Sequence, residues 1–164
     1  MQLSDAGLDL VKRSEGFRSH TYLDVNGFPT IGYGHRILPS ESFPGPIAET
    51  QANNLLASDL RVAEQDVVRL VKVSLTQGQF DALVDFCFNL GGERLASSTL
   101  LKVLNGGRYQ DAVEQLLRWD LAGGQVNAGL KARRQAECAL WNASPASATL
   151  PPPTCPGISI IPSR

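Results

Sequence analysis

The stretch S-E-G-F-R-S-H-T-Y-L-D-V-N-G-F-P-T-I-G-Y-G-H, residues 14–35, sets a helix end, a tight turn and a run of β-branched and aromatic residues side by side. It also crowds Glu15, Asp24 and Thr30 into one short segment. Upstream, Ser4 reads as an N-cap and Leu3 and Leu8 as a hydrophobic staple, while Leu3, Ala6 and Leu10 mark an apolar stripe. Residues 4–15 therefore predict a helix, with Gly16 as its stop. Glu15 falls at the carboxyl end, where the backbone dipole disfavours negative charge. From Thr21 to Ile31 the pattern becomes that of a hairpin around Asn26-Gly27. Pro29 has no N–H to give a ladder, so its strand is expected at a sheet edge.

Two carboxyl groups near a turn suit one chemistry. Hydrolysing a glycosidic bond takes one carboxylic acid, protonated near neutral pH, and a second carboxylate on the far side of the sugar. Glu15 and Asp24 are candidates for those roles. The helix-end dipole contributes about 0.3–1 kcal/mol, too little to keep Glu15 protonated, so partial burial in a cleft is expected to do most of that work. A threonine hydroxyl both accepts and donates, so Thr30 with Asp24 could hold a water for attack. A strict two-residue turn at Asn26-Gly27 would put Leu23 opposite Thr30 and throw Asp24 and Thr30 onto opposite faces. Sharing a water requires an odd loop, centred on Gly27, that pairs Asp24 with Thr30, and that is the expectation here. Taken singly, a Glu at a helix end and an Asp before an Asn-Gly turn are common surface residues, and Thr30 is an ordinary strand residue.

The rest of the chain reads as helical. After a Pro- and Ser-rich loop at 39–46, Ala52, Leu55, Leu56, Leu60, Ala63, Val67, Leu70 and Val71 recur at helical steps and predict a long amphipathic helix. Thr76-Gln77-Gly78-Gln79 has capping-box spacing with Leu75 and Phe80 as staple, and Phe80, Leu83, Val84 and Cys87 continue inward to Gly91-Gly92. Ser97 or Ser98 caps a short helix ending near Asn105-Gly106-Gly107. Another runs from Tyr109 to Leu121, with Val113, Leu116, Leu117 and Trp119 inward, and a last one from Leu130 to Trp141 after the loop A-G-G-Q-V-N-A-G. Beyond Trp141 the composition turns to Ala, Ser, Thr and Pro, which predicts a mobile or extended tail.

Composition narrows the function classes. With 164 residues and 43% hydrophobic content the chain can build a core without staples. Cys87, Cys138 and Cys155 form an odd set without C-x-x-C, so neither a disulfide framework nor a zinc site is implied. A net charge of −1 gives no global pull toward nucleic acid or an anionic surface, and K-A-R-R at 131–134 reads as a solvated helix face. Asp5 and Asp9 lie where an export signal would be basic and then apolar, and no apolar run is long enough for a membrane span, so synthesis in the cytoplasm is expected. G-Y-G-H at 32–35 lacks the lysine and third glycine of a phosphate loop. His35 is a candidate cleft residue, with a structural histidine bonded to a carboxylate as the better reading, and His20 is expected to be exposed.

These residues resemble the bacteriophage-type lysozymes, or endolysins, of glycoside hydrolase family 24. The match is the ordered set E-G-F, T-Y-L-D and P-T-I-G-Y-G-H, with eight residues between Glu15 and Asp24 and five between Asp24 and Thr30. It continues through Q-F-D-A-L-V-D-F-C-F-N-L-G (79–91), S-S-T-L-L-K-V-L-N-G-G (97–107), W-D-L-A-G-G (119–124) and G-L-K-A-R-R-Q-A-E (129–137). The resemblance implies an α+β, mainly helical, lysozyme-like fold: a hairpin lobe at about 16–50, a bridging helix at about 50–72, and a helical lobe at about 73–142 that includes the first helix, with a cleft between the lobes. Residues 143–164 would lie outside it.

The same resemblance implies that Glu15 is the acid, Asp24 the second catalytic group and Thr30 the residue that helps place water. Phe88 and Asn89 would meet the glycan from the helical lobe and Gly34, His35 and Arg36 from the opposing lip. It implies cleavage of the β-1,4 bond between N-acetylmuramic acid and N-acetylglucosamine in peptidoglycan, without metal or organic cofactor, by a monomer that reaches the wall once a holin has permeabilised the membrane. Members of this family that act on cell envelopes are often basic, so attraction to an anionic wall should be weak for this nearly neutral chain. Two other readings remain: a glycan-binding module without chemistry, and a bacterial autolysin or toxin with the same chemistry.

Overall fold

The computed structural model describes residues 1–24 and 27–143. Helix α1 (Asp5–Glu15) starts at Ser4, whose hydroxyl accepts from the Gly7 N–H, and ends at Gly16. Its buried side is Gly7, Leu10 and Val11; Ala6, assigned to the apolar stripe, is exposed instead. The reason is tertiary: Gly7 packs against Leu3 and Asp81 so tightly that a Cβ there would clash, which turns the neighbouring Ala6 outward.

Strands β1 (Arg18–Leu23), β2 (Pro29–Gly32) and β3 (His35–Arg36) form an antiparallel sheet in that order. Pro29 therefore lies on the central strand, not at an edge. It is tolerated as that strand's first residue, where it is needed only as an acceptor: its carbonyl takes the Ile37 N–H at 2.9 Å. The sheet is too small to be stable alone. It leans on α2 (Glu49–Leu70), with Gly32 against Ala52 and Ile31 fully buried. Tyr33 adds a 2.7 Å hydrogen bond to Glu49, which pushes its phenol up to about 12.

Helix α2 buries Ala52, Leu56, Leu60, Ala63 and Val67, the periodic positions expected. Helix α3 (Gln77–Leu90) opens with the expected capping box, Thr76 accepting from the Gln79 N–H and Gln79 accepting from the Thr76 N–H, and stops at Gly91. It is the centre of the molecule: Phe80, Leu83, Val84 and Phe86 are buried, each by about 1.5–3 kcal/mol of transfer free energy. A short α4 (Gly92–Ala96), unforeseen from the sequence, leads to α5 (Thr99–Asn105), capped by Ser98.

Helix α6 (Tyr109–Leu116) is shorter than expected, and Leu117 is exposed. Residues through Leu121 do not continue it because Gly123 and Gly124 both hold positive φ (59° and 79°), closing a tight turn between β4 (Leu121–Ala122) and β5 (Gln125–Val126). A turn of that kind demands extended flanks. Asn127 then caps α7 (Ala128–Asn142), which starts slightly before Leu130. The whole is a mainly helical α+β structure, with a small hairpin lobe and a larger helical one. The tail expected after residue 143 lies outside the described residues. Cys87 and Cys138 are free thiols, pushed up by burial to about 12 and about 11.

Candidate active site

The site begins with how α1 is pinned. At its start the Ser4 N–H reaches Asp81 at 3.0 Å and the Leu3 N–H reaches Glu64 at 2.6 Å, tying it to α3 and α2. Its other end places Glu15 beside the β2–β3 turn. Gly34 sits there with φ +86°, and a Cβ on it would stand 3.4 Å from Glu15 Oε2, so the turn passes close by the carboxyl.

Glu15 is partly buried in a groove wall, and its carboxyl faces a cation there. Its Oε1 accepts from Arg133 Nη1 at 2.6 Å, and its side chain keeps 23% exposure. Arg133 also grips Asp85 with two hydrogen bonds, Nε to Oδ2 at 2.8 Å and Nη2 to Oδ1 at 2.9 Å. Burial disfavours the guanidinium charge, but Asp85 and Glu15 more than offset that and hold it above its usual range. Next along α7, Arg134 is fully buried; its Nη2 donates to Asn89 Oδ1 at 3.0 Å and pairs with Glu137 Oε1 at 2.6 Å. The solvated face read into K-A-R-R is thus overturned for both arginines, though Lys131 is exposed. A groove of about 740 Å³ runs past Glu15, with Ser14, Asn89, Leu130, Arg133 and Ala136 in its wall.

The hairpin supplies the other side. Its observed register pairs Tyr22 with Thr30 and Leu23 with Pro29, so Asp24 faces Phe28. The expected pairing of Asp24 with Thr30 is therefore wrong by one step, the loop being centred before Gly27. Its parity is nonetheless odd, and that puts Asp24, Tyr22 and Thr30 on one face. Phe28 fixes both site residues: its carbonyl accepts from the Asp24 N–H at 2.9 Å and from Thr30 Oγ1 at 3.0 Å, and its N–H donates to Asp24 Oδ1 at 2.8 Å. Thr30 is buried and Asp24 half-buried.

Tyr22, which sequence reasoning passed over, pairs with Thr30 and shares the hairpin face with Asp24. Burial raises its phenol, Arg18 stacked 4.5 Å above the ring opposes that, and Glu15 and Asp24 both raise it further. Both carboxylates thus act on one phenol; the signal available in the sequence was its place in T-Y-L-D. Of the lip residues, Gly34 borders Glu15 and exposed Arg36 lies 3.4 Å over the Phe28 ring. His35 is buried with both nitrogens engaged, Nδ1 with Asp59 at 2.8 Å and Nε2 with Glu41 at 3.0 Å, which favours the structural reading over glycan contact. Phe88 is half-buried against the core, and His20 is exposed as expected.

This arrangement, a carboxyl at a helix end facing a hairpin that carries a second carboxyl and a hydroxyl, has relatives. The phage lysozyme family profile matches residues 12–137, and the chain belongs to that family. It is 43% identical over 144 residues to the endolysin of Bacillus phage B103, covering 86% of this chain and 54% of that one. Against the endolysin of Salmonella phage P22 it is 39% identical over 138 residues, covering 82% and 94%. The chain thus spans about half the length of its Bacillus phage relatives. Among solved structures, the muramidase domain of SpmX from Asticaccaulis excentricus superposes with a TM-score of 0.80 at 37% identity, over 87% of this chain and 99% of that one. A P22 lysozyme mutant gives 0.78, also at 37% identity and with the same coverage.

Proposed function

We propose that this chain is a glycosidase that cuts the β-1,4 bond between N-acetylmuramic acid and N-acetylglucosamine in peptidoglycan. The observation that carries this reading is the placing of Glu15 in the groove wall beside the Gly34 turn, with Asp24 and Thr30 together on one face of the hairpin. Glu15, beside the groove, gives its proton to the leaving sugar oxygen. Asp24 and Thr30 hold the water on the opposite side of the ring. Since the Thr30 hydroxyl hydrogen is spent on the Phe28 carbonyl, Thr30 serves that water as an acceptor, and Asp24 takes its proton. Displacement by water inverts the anomeric carbon.

Gly34, Arg36, Phe88 and Asn89 line the path of the glycan, with His35 supporting the lip from behind. We assign this chemistry to residues 1–142, since the described helices end at Asn142 and the family match ends at 137. No described helix is long and apolar enough to cross a membrane. The proposed setting is lysis of a bacterial host, by a monomer made in the cytoplasm that meets the wall after a holin opens the membrane.

Clearing of purified peptidoglycan by wild type and Glu15→Gln tests the assignment. Equal rates would leave a glycan-binding module, or a different acid. Anomer-resolved products of a short muropeptide oligomer test the water: retention of configuration would remove it in favour of a covalent intermediate on Asp24.

A further inference from the structure

Asn89, in the last turn of α3, borders the groove that runs past Glu15. Its side-chain oxygen is already engaged: Oδ1 accepts from Arg134 Nη2 at 3.0 Å. Arg134 is fully buried on α7, stands in ion-pair contact with Glu137 at 2.6 Å and lies 5.2 Å over the Phe86 ring, so its guanidinium is confined by α3 and by its own helix. Its Nε and Nη1 meet no acceptor among the described residues. Asn89 Oδ1 is thus the hydrogen-bond acceptor on which this buried cation relies.

A guanidinium has donors and no acceptor, so an amide can meet it only through its oxygen. The two flipped forms of Asn89 are therefore not equivalent, since turning the amide over would set NH2 against N–H and strip the cation of its acceptor. Nδ2 has no partner among the described residues, and it is open to solvent, the enclosed unpartnered side-chain atoms being those of Asn53, Arg134 and Glu137. Both of its hydrogens are available to whatever occupies the groove.

We propose that Arg134 is a positioning residue that commits Asn89 to offering only N–H groups to the groove, and that Asn89 so oriented selects the acetamido carbonyl of a glycan sugar. A carbonyl accepts and never donates, which matches a wall position that donates and never accepts. A sugar hydroxyl turns to suit either role, so it gives such a position nothing to discriminate. The ammonium of a sugar that has lost its acetyl group only donates, and it meets like-ended N–H groups with a buried cation behind them. Hydrogen-bonding to that cation also polarises the amide and strengthens its N–H groups as donors.

The inference rests on the groove being the path of the glycan, but its first test needs no catalysis. Titrating a short peptidoglycan oligomer into ¹⁵N-labelled Glu15→Gln should shift the Asn89 side-chain NH2 signals, and the same oligomer stripped of its acetyl groups should leave them in place. No shift with the acetylated oligomer, or equal shifts with both, overturns the selection. If Glu15→Gln clears walls as fast as wild type, the catalytic reading fails while this titration still decides the role of Asn89.

Substrate preference gives the second test. Asn89→Asp keeps an oxygen for Arg134 but shows the groove an acceptor, so the ratio of kcat/KM on acetylated to de-N-acetylated peptidoglycan should fall by about tenfold or more. Any effect of the new charge on Glu15 acts on both substrates and cancels in that ratio. An unchanged ratio overturns the proposal. The role of Arg134 is read from the paired replacement Arg134→Met/Glu137→Leu, which leaves neither charge buried without the other and frees the amide to turn. Its ratio should also fall, and a folded pair with the wild-type ratio removes Arg134 as the positioning residue. Should the pair not fold, wild-type protein decides: a scalar coupling across the hydrogen bond from Arg134 Nη2 to the Asn89 side-chain carbonyl carbon is expected, and its absence overturns the orientation.

Discussion

The two sides of the candidate site, Glu15 on one and Asp24 with Thr30 on the other, are held by opposite means. Glu15 is fixed by side chains distant in sequence, through Arg133 and a buried carboxylate on α3. Asp24 and Thr30 are fixed by the backbone of a single neighbour, Phe28. An ion network of this kind tolerates little loss, since removing one partner leaves a buried charge uncompensated. A hairpin held by local hydrogen bonds degrades by smaller steps of about 1 kcal/mol each. The difference predicts where substitutions destroy the molecule and where they only blunt it.

The comparison breaks first at Glu15. Glu15→Gln should lower the rate of wall clearing by about 10²–10⁴-fold, the contribution of a general acid, with the thermal transition little moved because Arg133 keeps its two bonds to Asp85. Arg133→Met should do the reverse kind of harm, leaving Asp85 buried and unpaired at a cost of about 3–5 kcal/mol in urea unfolding. If that variant unfolds with the wild type, the network does not hold the Glu15 side. Thr30→Val keeps the shape and removes the acceptor; we expect about a tenfold loss of kcat and roughly 1 kcal/mol of stability.

The smallest effect concerns the lip. Burial disfavours charge on His35, but Glu41 and Asp59 outweigh it and raise the ring above 6.5, while the Leu38 N–H and His35 lower Glu41 below 4.5. The histidine's contribution is complete below 6.5 and fades as pH rises through its folded value; that of Glu41 is present above 4.5 and fades on acidification. The melting-temperature gap between wild type and His35→Asn should therefore be widest between those two values and narrow above them. A gap constant from about pH 5 to about pH 9 would remove the charged clamp.

What the sequence disclosed follows the same division. Ser4, Thr76 and Gly91 act within a few residues of themselves, so the helices they bound were legible. The face shared by Asp24 and Thr30 was legible too, because loop parity settles it, although the register was off by one step. The partners of Glu15 were not. Arg133 and Asp85 stand 48 positions apart, and the basic run containing Arg133 looked like ordinary surface. The available clue was Asp85 in the midst of an apolar helix, which demanded a cation from elsewhere. Pro29 misled for a related reason: a proline excludes itself from donating, but that fixes its sheet position only when its carbonyl has no taker.

The two free thiols among the described residues have a consequence for the molecule's surroundings. A thiol must ionise to attack a disulfide or a peroxide, and burial keeps Cys87 and Cys138 almost wholly un-ionised at neutral pH. The described part of the molecule is therefore redox-indifferent: passing from a reducing to an oxidising medium would neither add a crosslink to it nor take one away.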